Sequence, residues 1–199
     1  MNLDRDPCGA HLQRSRLAFL CGFYFLAPES LRRHAEAIRA HFRPTEVVRR
    51  RVDEMMRGVR ATADVLVGVH VRHGDYRTYC GGIMFYTASE YADAMRAFAR
   101  QFPDRRVTYI VCSDEPQPPD AFHGLAVTSG VGDEMTDLCL LAQCDYIIGV
   151  QSSFSRWASF WGNTPLWRLD WKAFPALGSV PLVQDFRVCY TASSIVDNA

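Results

Sequence analysis

The stretch VLVGVHVRHGDY, residues 65–76, determines how the rest of the chain is interpreted. Its first seven residues are mostly β-branched or apolar, which predicts a buried strand. The polar residues at its carboxyl end are His70, Arg72, His73, Asp75 and Tyr76. In an open parallel α/β sheet, ligands bind outside the carboxyl ends of the strands. We therefore expect a ligand site at the end of this strand.

Strands and helices alternate along the following part of the chain. Further buried strands are predicted at residues 107–112, 146–150 and 166–169. Helices of about 10 to 15 residues between them imply βαβ units, and thus an α/β fold with a Rossmann-like parallel sheet and flanking helices. Right-handed crossovers place the carboxyl ends of all these strands at one edge of the sheet. Three polar clusters are then expected to converge there, at residues 70–76, 113–115 and 151–155.

The residues before the first strand have a helical pattern instead. One helix is predicted from Pro28 until Pro44 ends it, and a second begins near Thr45. We therefore expect two regions. Residues 1–62 form a mostly helical N-terminal segment, and residues 63–199 form the Rossmann-like domain.

The charge balance and the cysteines of the chain limit the kinds of partner that we expect it to bind. The 199 residues include 22 basic and 22 acidic side chains, so no overall field attracts nucleic acid, and a bound anion needs a local site. The seven cysteines include no CxxC pair. This spacing does not support a zinc site, and it favours reduced thiols in a cytoplasmic protein.

One apolar stretch bears on localisation. Residues 17–27, LAFLCGFYFLA, are fewer than the roughly 20 apolar residues of a membrane span. They follow Arg14 and Arg16 as the apolar region of a signal peptide would, but no small-x-small cleavage pattern comes after them. We interpret them as a core segment of a cytoplasmic protein. Alternatively, they act as an anchor and associate the chain with a membrane.

Arg72 is the strongest candidate for anion binding. Its guanidinium presents a rigid fork of donors that matches phosphate oxygens. The alternative is an ion pair with Asp75, Asp114 or Asp145 that only joins segments at the sheet edge. His70 alternates with valines, and a lone histidine of this kind is more often a core residue than a ligand. Its position two residues from Arg72 favours a functional role.

The other candidates also have two interpretations each. His73 either contacts phosphate or faces solvent. Ser152, Ser153 and Ser155 lead into a helix N-terminus, which suits an anion, although any one of them could simply cap the helix. Asp137 either accepts hydrogen bonds from guanine or supports the helix dipole as a first-turn acid. The chain lacks a P-loop and a GxGxxG motif, which argues against kinases, ATPases and dinucleotide enzymes.

Residues 70–76, HVRHGDY, resemble the HxRRGDY motif of α-1,2-fucosyltransferases, which is related to that of α-1,6-fucosyltransferases. Four other segments resemble parts of the same family: GFYF at 22–25, CSDE at 112–115, the segment from Asp137 to Asp145, and SSFSRW at 152–157. The order and spacing of the motifs agree from about residue 65 to residue 162. The four motifs in that range, which leave out GFYF, are together more specific than any one of them.

The resemblance implies an inverting transferase that uses GDP-fucose as the donor and a galactoside or other glycan as the acceptor, with no metal or other cofactor. It implies a GT-B fold of two Rossmann-like domains, of which this chain contains the C-terminal, donor-binding one. By position, Arg72 and His70 are the catalytic candidates, with Arg72 on the diphosphate. The donor-binding candidates are His70, Arg72, His73, Asp75, Asp114, Asp137, Ser152, Ser153, Phe154 and Ser155.

Two departures from the family pattern leave alternatives open. His73 replaces the second arginine of the motif, which removes a permanent charge and would make donor binding pH-sensitive. Only 64 residues precede the first strand, so the acceptor-binding half is expected to be absent or reduced. A non-catalytic or partner-dependent GDP-sugar-binding module is therefore the alternative function, and an unrelated phosphate-binding α/β enzyme is a third. No catalytic base can be named.

Overall fold

The computed structural model describes residues 2–5, 7–19, 26–118, 120–169 and 181–189. Contacts group the chain into a smaller unit, Met1–Arg43 with Cys189–Ala199, and a larger unit, Pro44–Val188. The predicted division into residues 1–62 and 63–199 stays a prediction. The contact-defined boundary lies earlier in the chain, so the second predicted helix belongs to the larger unit.

The described residues of the smaller unit include three short helices: α1 at Pro7–Arg14, α2 at Pro28–Arg33 and α3 at Ala35–His41. The single helix predicted from Pro28 is wrong, because the backbone leaves helical geometry at His34, with φ −105° and ψ 10°. The Asp4 carboxylate accepts the backbone N–H groups of Glu29 and Ser30, at 2.7 and 3.2 Å, and so satisfies the first turn of α2. Residues 20–25, which include the GFYF segment, lie outside the described residues.

The larger unit is built on a five-stranded parallel sheet. The strands are β1 at Val65–Val71, β2 at Val107–Ser113, β3 at Val127–Ser129, β4 at Tyr146–Val150 and β5 at Leu166–Leu169. Their order is β3-β2-β1-β4-β5, and every neighbouring pair is parallel. The predicted α/β fold class with a parallel, Rossmann-like sheet is therefore confirmed.

Four helices flank this sheet: α4 at Glu46–Arg60, α5 at Ala88–Ala99, α6 at Glu134–Ala142 and α7 at Ser153–Gly162. Side chains cap all four, and Thr87 forms a capping box with Glu90 at the start of α5. Among the described residues, no helix has the length and apolar character needed to cross a membrane.

β1 is buried along its whole length, and its alternate residues face two helical layers. Val67 and Val69 join the aromatic residues Tyr91 and Phe98 of α5 in the core. On the other face Leu141 of α6 comes so near Gly68 that a Cβ there would lie 2.7 Å from its Cδ2. His70 shares the face of Gly68, because residues two apart in a strand point the same way. The core thus holds β1 rigidly up to its carboxyl end.

Candidate functional site

The three predicted polar clusters meet where the strands end, at the edge of the sheet called here the carboxyl edge. Arg72, which follows β1, lies 3.1 Å from Asp114, which follows β2. The Tyr76 hydroxyl donates to the carbonyl oxygen of Gln151, which follows β4, at 2.9 Å. The predicted convergence is therefore confirmed, and it results from the parallel register of the three central strands.

The guanidinium of Arg72 is shared by two carboxylates. Nη2 lies 2.8 Å from Oδ1 of Asp75, and Nη1 lies 3.1 Å from Oδ2 of Asp114. Asp145, the third partner considered for an ion pair, instead binds Arg60 at 2.7 Å. The side chain of Arg72 is 36% exposed, so an anion from solvent can reach this cation.

Asp114 and Tyr91 fix the backbone around Arg72. Oδ1 of Asp114 accepts the backbone N–H of His73 at 2.9 Å, and the Tyr91 hydroxyl oxygen accepts that of Arg72 at 3.3 Å. Gly74 leaves room for this arrangement, since a Cβ atom built there would lie 2.6 Å from Oδ2 of Asp114. The position of the guanidinium is thus set by groups from β2 and α5.

His70 is buried and bound to α7. Its Nδ1 lies 2.7 Å from Oγ of Ser155, and its ring lies 4.8 Å from that of Phe154. Among the described residues, the structure records no hydrogen bond to Nε2. Burial lowers the pKa of His70 to about 4, so the imidazole is neutral near pH 7. Gly149 on β4 makes the contact between His70 and Ser155 possible, because a Cβ atom at position 149 would lie 2.6 Å from Oγ of Ser155.

The three serines at the start of α7 have different environments. Ser152 caps the helix by accepting the backbone N–H of Ser155 at 3.3 Å, as the simpler interpretation proposed for one serine. The hydroxyl of Ser155 is buried against His70. Ser153 is exposed in the first turn. Capping therefore explains Ser152. The exposed hydroxyl of Ser153 lies in the first turn beside the N–H groups of α7, where anions bind favourably.

His73 lies in the interior, so the interpretation that it faces solvent is wrong. Its Nε2 lies 2.9 Å from the carbonyl oxygen of Tyr86, and its Nδ1 lies 3.4 Å from Nε2 of Gln117. These partners suit the tautomer with the proton on Nε2, because a carbonyl accepts and an amide N–H₂ donates. Both ring nitrogens thus have protein partners, and the predicted contact of His73 with the donor stays a prediction.

Asp137 lies in the first turn of α6, buried beside the loop that follows β3. Its Oδ1 accepts the backbone N–H of Val131 at 2.7 Å, and its Oδ2 accepts that of Gly132 at 3.2 Å. Burial raises the pKa of this carboxyl group, and the two backbone hydrogen bonds lower it. Asp137 also lines a cavity of about 670 Å³ together with Asp114 and Gln117. The predicted contact with guanine stays a prediction.

Sequence reasoning assigned no functional role to Tyr91, Gln117 or Arg156. Tyr91 is a buried residue of α5, and the contact of its hydroxyl with the backbone N–H of Arg72 depends on tertiary packing. Arg156 is 3% exposed and directly follows Ser155 on α7, so it adds a second cation near the edge. An arginine directly after the serine run was the available signal. Among the described residues, no group of three or more His, Cys, Asp or Glu side chains could hold a metal ion.

Known proteins resemble more than half of this chain. The family described as Glycosyl transferase family 11 matches residues 24–164, which include every candidate site residue. Nodulation protein Z of Azorhizobium caulinodans is 27% identical over 149 residues, which cover 60% of this chain and 45% of that protein.

Solved structures give a weaker match. One is NodZ α-1,6-fucosyltransferase co-crystallised with GDP, with 23% identity, a TM-score of 0.49 and coverage of 63% of this chain and 44% of that one. Another is a mutant of FUT1 from Arabidopsis thaliana in complex with GDP, with 15% identity, a TM-score of 0.47 and coverage of 64% and 34%. The chain thus spans less than half the length of these relatives.

Proposed function

This chain belongs to glycosyl transferase family 11, and we propose that it transfers L-fucose from GDP-fucose to a hydroxyl group of a glycan acceptor. The observation that carries the proposal is the position of Arg72. Its guanidinium is accessible at the carboxyl edge, between the β2 loop and the His70–Ser155 pair, inside the matched region. A fixed cation at this edge suits a diphosphate.

The diphosphate is proposed to bind between Arg72 and the N-terminus of α7. Arg72 supplies a charged fork, Nε2 of His70 is available for a further hydrogen bond, and Ser153 adds a hydroxyl beside first-turn N–H groups. These groups come from two adjacent strands of one sheet, so binding needs little rearrangement between them. Preorganised donors of this kind stabilise charge that develops on a leaving group.

The transfer step is proposed to invert the anomeric carbon of fucose. The acceptor oxygen forms a bond to that carbon as the bond to the β-phosphate oxygen breaks, and GDP departs with the electron pair. The acceptor proton passes to a base that the sequence does not identify. Arg72 and His70 lie where they can stabilise the charge on the departing diphosphate, so we propose that no metal ion is needed.

The guanine is proposed to occupy the cavity of about 670 Å³ that Asp137 lines. Guanine presents two parallel donors, and each carboxylate oxygen can accept more than one hydrogen bond. Asp137 can therefore keep its bonds to Val131 and Gly132 while accepting from the base. This places the base on the β2–β3 side of Arg72 and the sugar on the other side.

The linkage and acceptor are proposed from two separate observations. The HVRHGDY segment resembles the motif of α-1,2-fucosyltransferases, which supports transfer to the 2-hydroxyl of a galactoside. The solved relative named an α-1,6-fucosyltransferase makes the 6-hydroxyl the alternative. We also propose a cytoplasmic location, because the cysteines described are free thiols, with membrane association through residues 17–27 as the alternative.

We propose a GDP-sugar-binding module as the second candidate function. Such a module would bind GDP-fucose without transferring the sugar, or would need a partner chain to transfer it. Binding and turnover separate these two functions.

Calorimetry with GDP tests the proposal first. We expect Arg72→Ala to weaken binding by about tenfold or more, with Arg72→Lys recovering only part, because lysine lacks the planar fork. Arg100→Ala, which removes an exposed arginine from α5's C-terminal end, is the control and should leave binding unchanged. Absence of GDP binding, or binding that does not depend on Arg72, would overturn the assignment.

Turnover is then measured with GDP-fucose and a panel of galactosides and N-acetylglucosaminides. GDP release that requires an acceptor supports the transferase, and the position of the new bond decides the linkage. Binding of GDP with no release on any acceptor favours the binding module.

A further inference from the structure

The two carboxylates that share Arg72 are not equivalent. Asp114 and Asp75 bind different nitrogens of the guanidinium, at 3.1 and 2.8 Å, but their side chains are 19% and 59% exposed. An anion that binds Arg72 from solvent must therefore replace, or share the guanidinium with, at least one of them. Which carboxylate gives way decides how the site responds to its ligand.

Asp114 is held in place by more than the guanidinium. Oδ1 of Asp114 accepts the backbone N–H of His73. Gly74 lies close to Oδ2, since a Cβ atom built on this glycine would lie 2.6 Å from that oxygen. Moving Asp114 away from Arg72 would also leave that N–H without its acceptor, which is unfavourable away from solvent. Asp114 is therefore the fixed partner of the fork.

Within the part of the chain that the structure describes, Asp75 is held by Arg72 alone. It begins the 3₁₀ turn Asp75–Arg77, and among the described residues the structure records no other partner for its carboxylate. Its exposed side chain can be solvated as soon as it leaves the guanidinium, and exposed ion pairs contribute little to stability. Asp75 is therefore the partner that an incoming anion displaces.

We propose that Asp75 competes with the diphosphate for Arg72. The Asp75 carboxylate binds Nη2 of Arg72 when no donor is bound, and a phosphate oxygen takes its place when the donor binds. Asp114 keeps Nη1 throughout. This inference rests on the proposed function, since it assumes that Arg72 holds the diphosphate. After transfer, the return of Asp75 to Nη2 favours release of GDP.

The exchange gives the site a distinct electrostatic signature. One ion pair breaks as another forms, so binding gains less Coulomb energy than it would at a vacant guanidinium. The dependence of affinity on salt should therefore be shallow, because screening weakens the pair that breaks as well as the pair that forms. A ligand with more charge than a carboxylate is needed for a net gain, and a diphosphate meets this condition.

The experiment measures GDP affinity by calorimetry in wild-type protein, Asp75→Asn and Asp104→Asn, at about 50 and about 200 mM salt. Asp104 is an exposed acid in the loop before β2, at the opposite edge of the sheet, and its variant makes the same change in net charge. We expect Asp75→Asn to bind GDP about threefold or more tightly at low salt, with a steeper salt dependence. Asp104→Asn should match the wild type.

A second background separates exchange from general repulsion. In Arg72→Ala, the fork is absent, so adding Asp75→Asn should give no further gain in affinity. If Asp75→Asn still increases GDP affinity in the Arg72→Ala background, Asp75 acts only by electrostatic repulsion of the ligand. That result overturns the proposed exchange. If wild-type protein binds GDP and Asp75→Asn is not tighter, the inference fails while the proposed function stands. If wild-type protein does not bind GDP, both fail.

Discussion

Nδ1 of His70 lies 2.7 Å from Oγ of Ser155, although 85 positions separate the two residues in the chain. The contact joins the carboxyl end of β1 to the first turn of α7, and both residues are buried. Each side chain satisfies a polar atom of the other in a region without solvent. The histidine that we propose to contact the donor is therefore oriented by the hydroxyl group of Ser155, which is buried against it.

Replacing Ser155 by alanine should destabilise the fold. The change leaves Nδ1 of His70 buried without its partner, at a cost of about 1–3 kcal/mol in the free energy of unfolding. Ser153→Ala, in the same turn but exposed, should change stability by no more than about 0.5 kcal/mol. Urea denaturation of both variants measures the difference. Equal stabilities would contradict the assigned contact.

Because folding lowers the pKa of His70, the free energy of unfolding depends on pH. Its pKa is about 4 in the folded chain and near 6.5 in the unfolded one, so between these values the unfolded state binds more protons. The stability that comes from the neutral, buried His70 is therefore fully present above pH 6.5. It is lost as the pH falls to about 4, which lowers the free energy of unfolding by a total of about 3 kcal/mol.

The variant His70→Asn isolates this effect from the other titrating groups. Asparagine does not titrate and can still form a hydrogen bond to Ser155. We expect the loss of stability between about pH 6.5 and pH 4.5 to be about 2–3 kcal/mol smaller in the variant, measured by denaturation at each pH. The same loss in both proteins would show that His70 is not the group responsible.

Gly74→Ala should disturb the Arg72–Asp114 pair. The new methyl group would lie 2.6 Å from Oδ2 of Asp114, so the carboxylate must move away from the guanidinium. We expect GDP binding to weaken about fivefold or more, because the fork loses its fixed partner.

Gly58→Ala is the matched control, because a Cβ at this helical position meets nothing within 4 Å. It should leave GDP binding unchanged and stabilise α4 by about 0.5–1 kcal/mol. If both glycine variants bind GDP alike, the close approach at Gly74 has no functional consequence.

Asp137→Asn should affect both the fold and the choice of base. An amide has one acceptor oxygen where the carboxylate has two, so one of the N–H groups of Val131 and Gly132 loses its partner. We expect a loss of about 1–3 kcal/mol in stability and a smaller preference for GDP over UDP. Glu134→Gln, an exposed acid in the same helical turn, should change neither.

The sequence was sufficient to predict the strands and their polar ends because both depend on local pattern. The apolar run from Val65 to Val71 and the capping box at Thr87 can be recognised without knowing their neighbours. The parallel topology then follows from the alternation of helices and strands, and it brings Arg72 to Asp114. Residues at strand ends were therefore placed correctly before any coordinates were known.

What could not be predicted depends on contacts between distant segments. His73 is buried because Tyr86 and Gln117, from two separate loops, provide partners for its ring. Asp145 is not a partner of Arg72 because Arg60 of α4 binds it. The requirement for glycine at position 74 arises only once Asp114 has been brought beside it. None of these relationships has a signature in local periodicity.

The sheet order gives the two ends of the proposed donor site unequal local stability. β3 has three residues and one neighbouring strand, whereas β1 is buried throughout and lies between β2 and β4. Edge elements with few contacts open more often than central ones. Amide protons near β3 and the loop to Asp137 should therefore exchange with solvent sooner than those of β1. GDP should slow exchange mainly at that edge, because the amide protons of β1 are already protected by its burial between two strands.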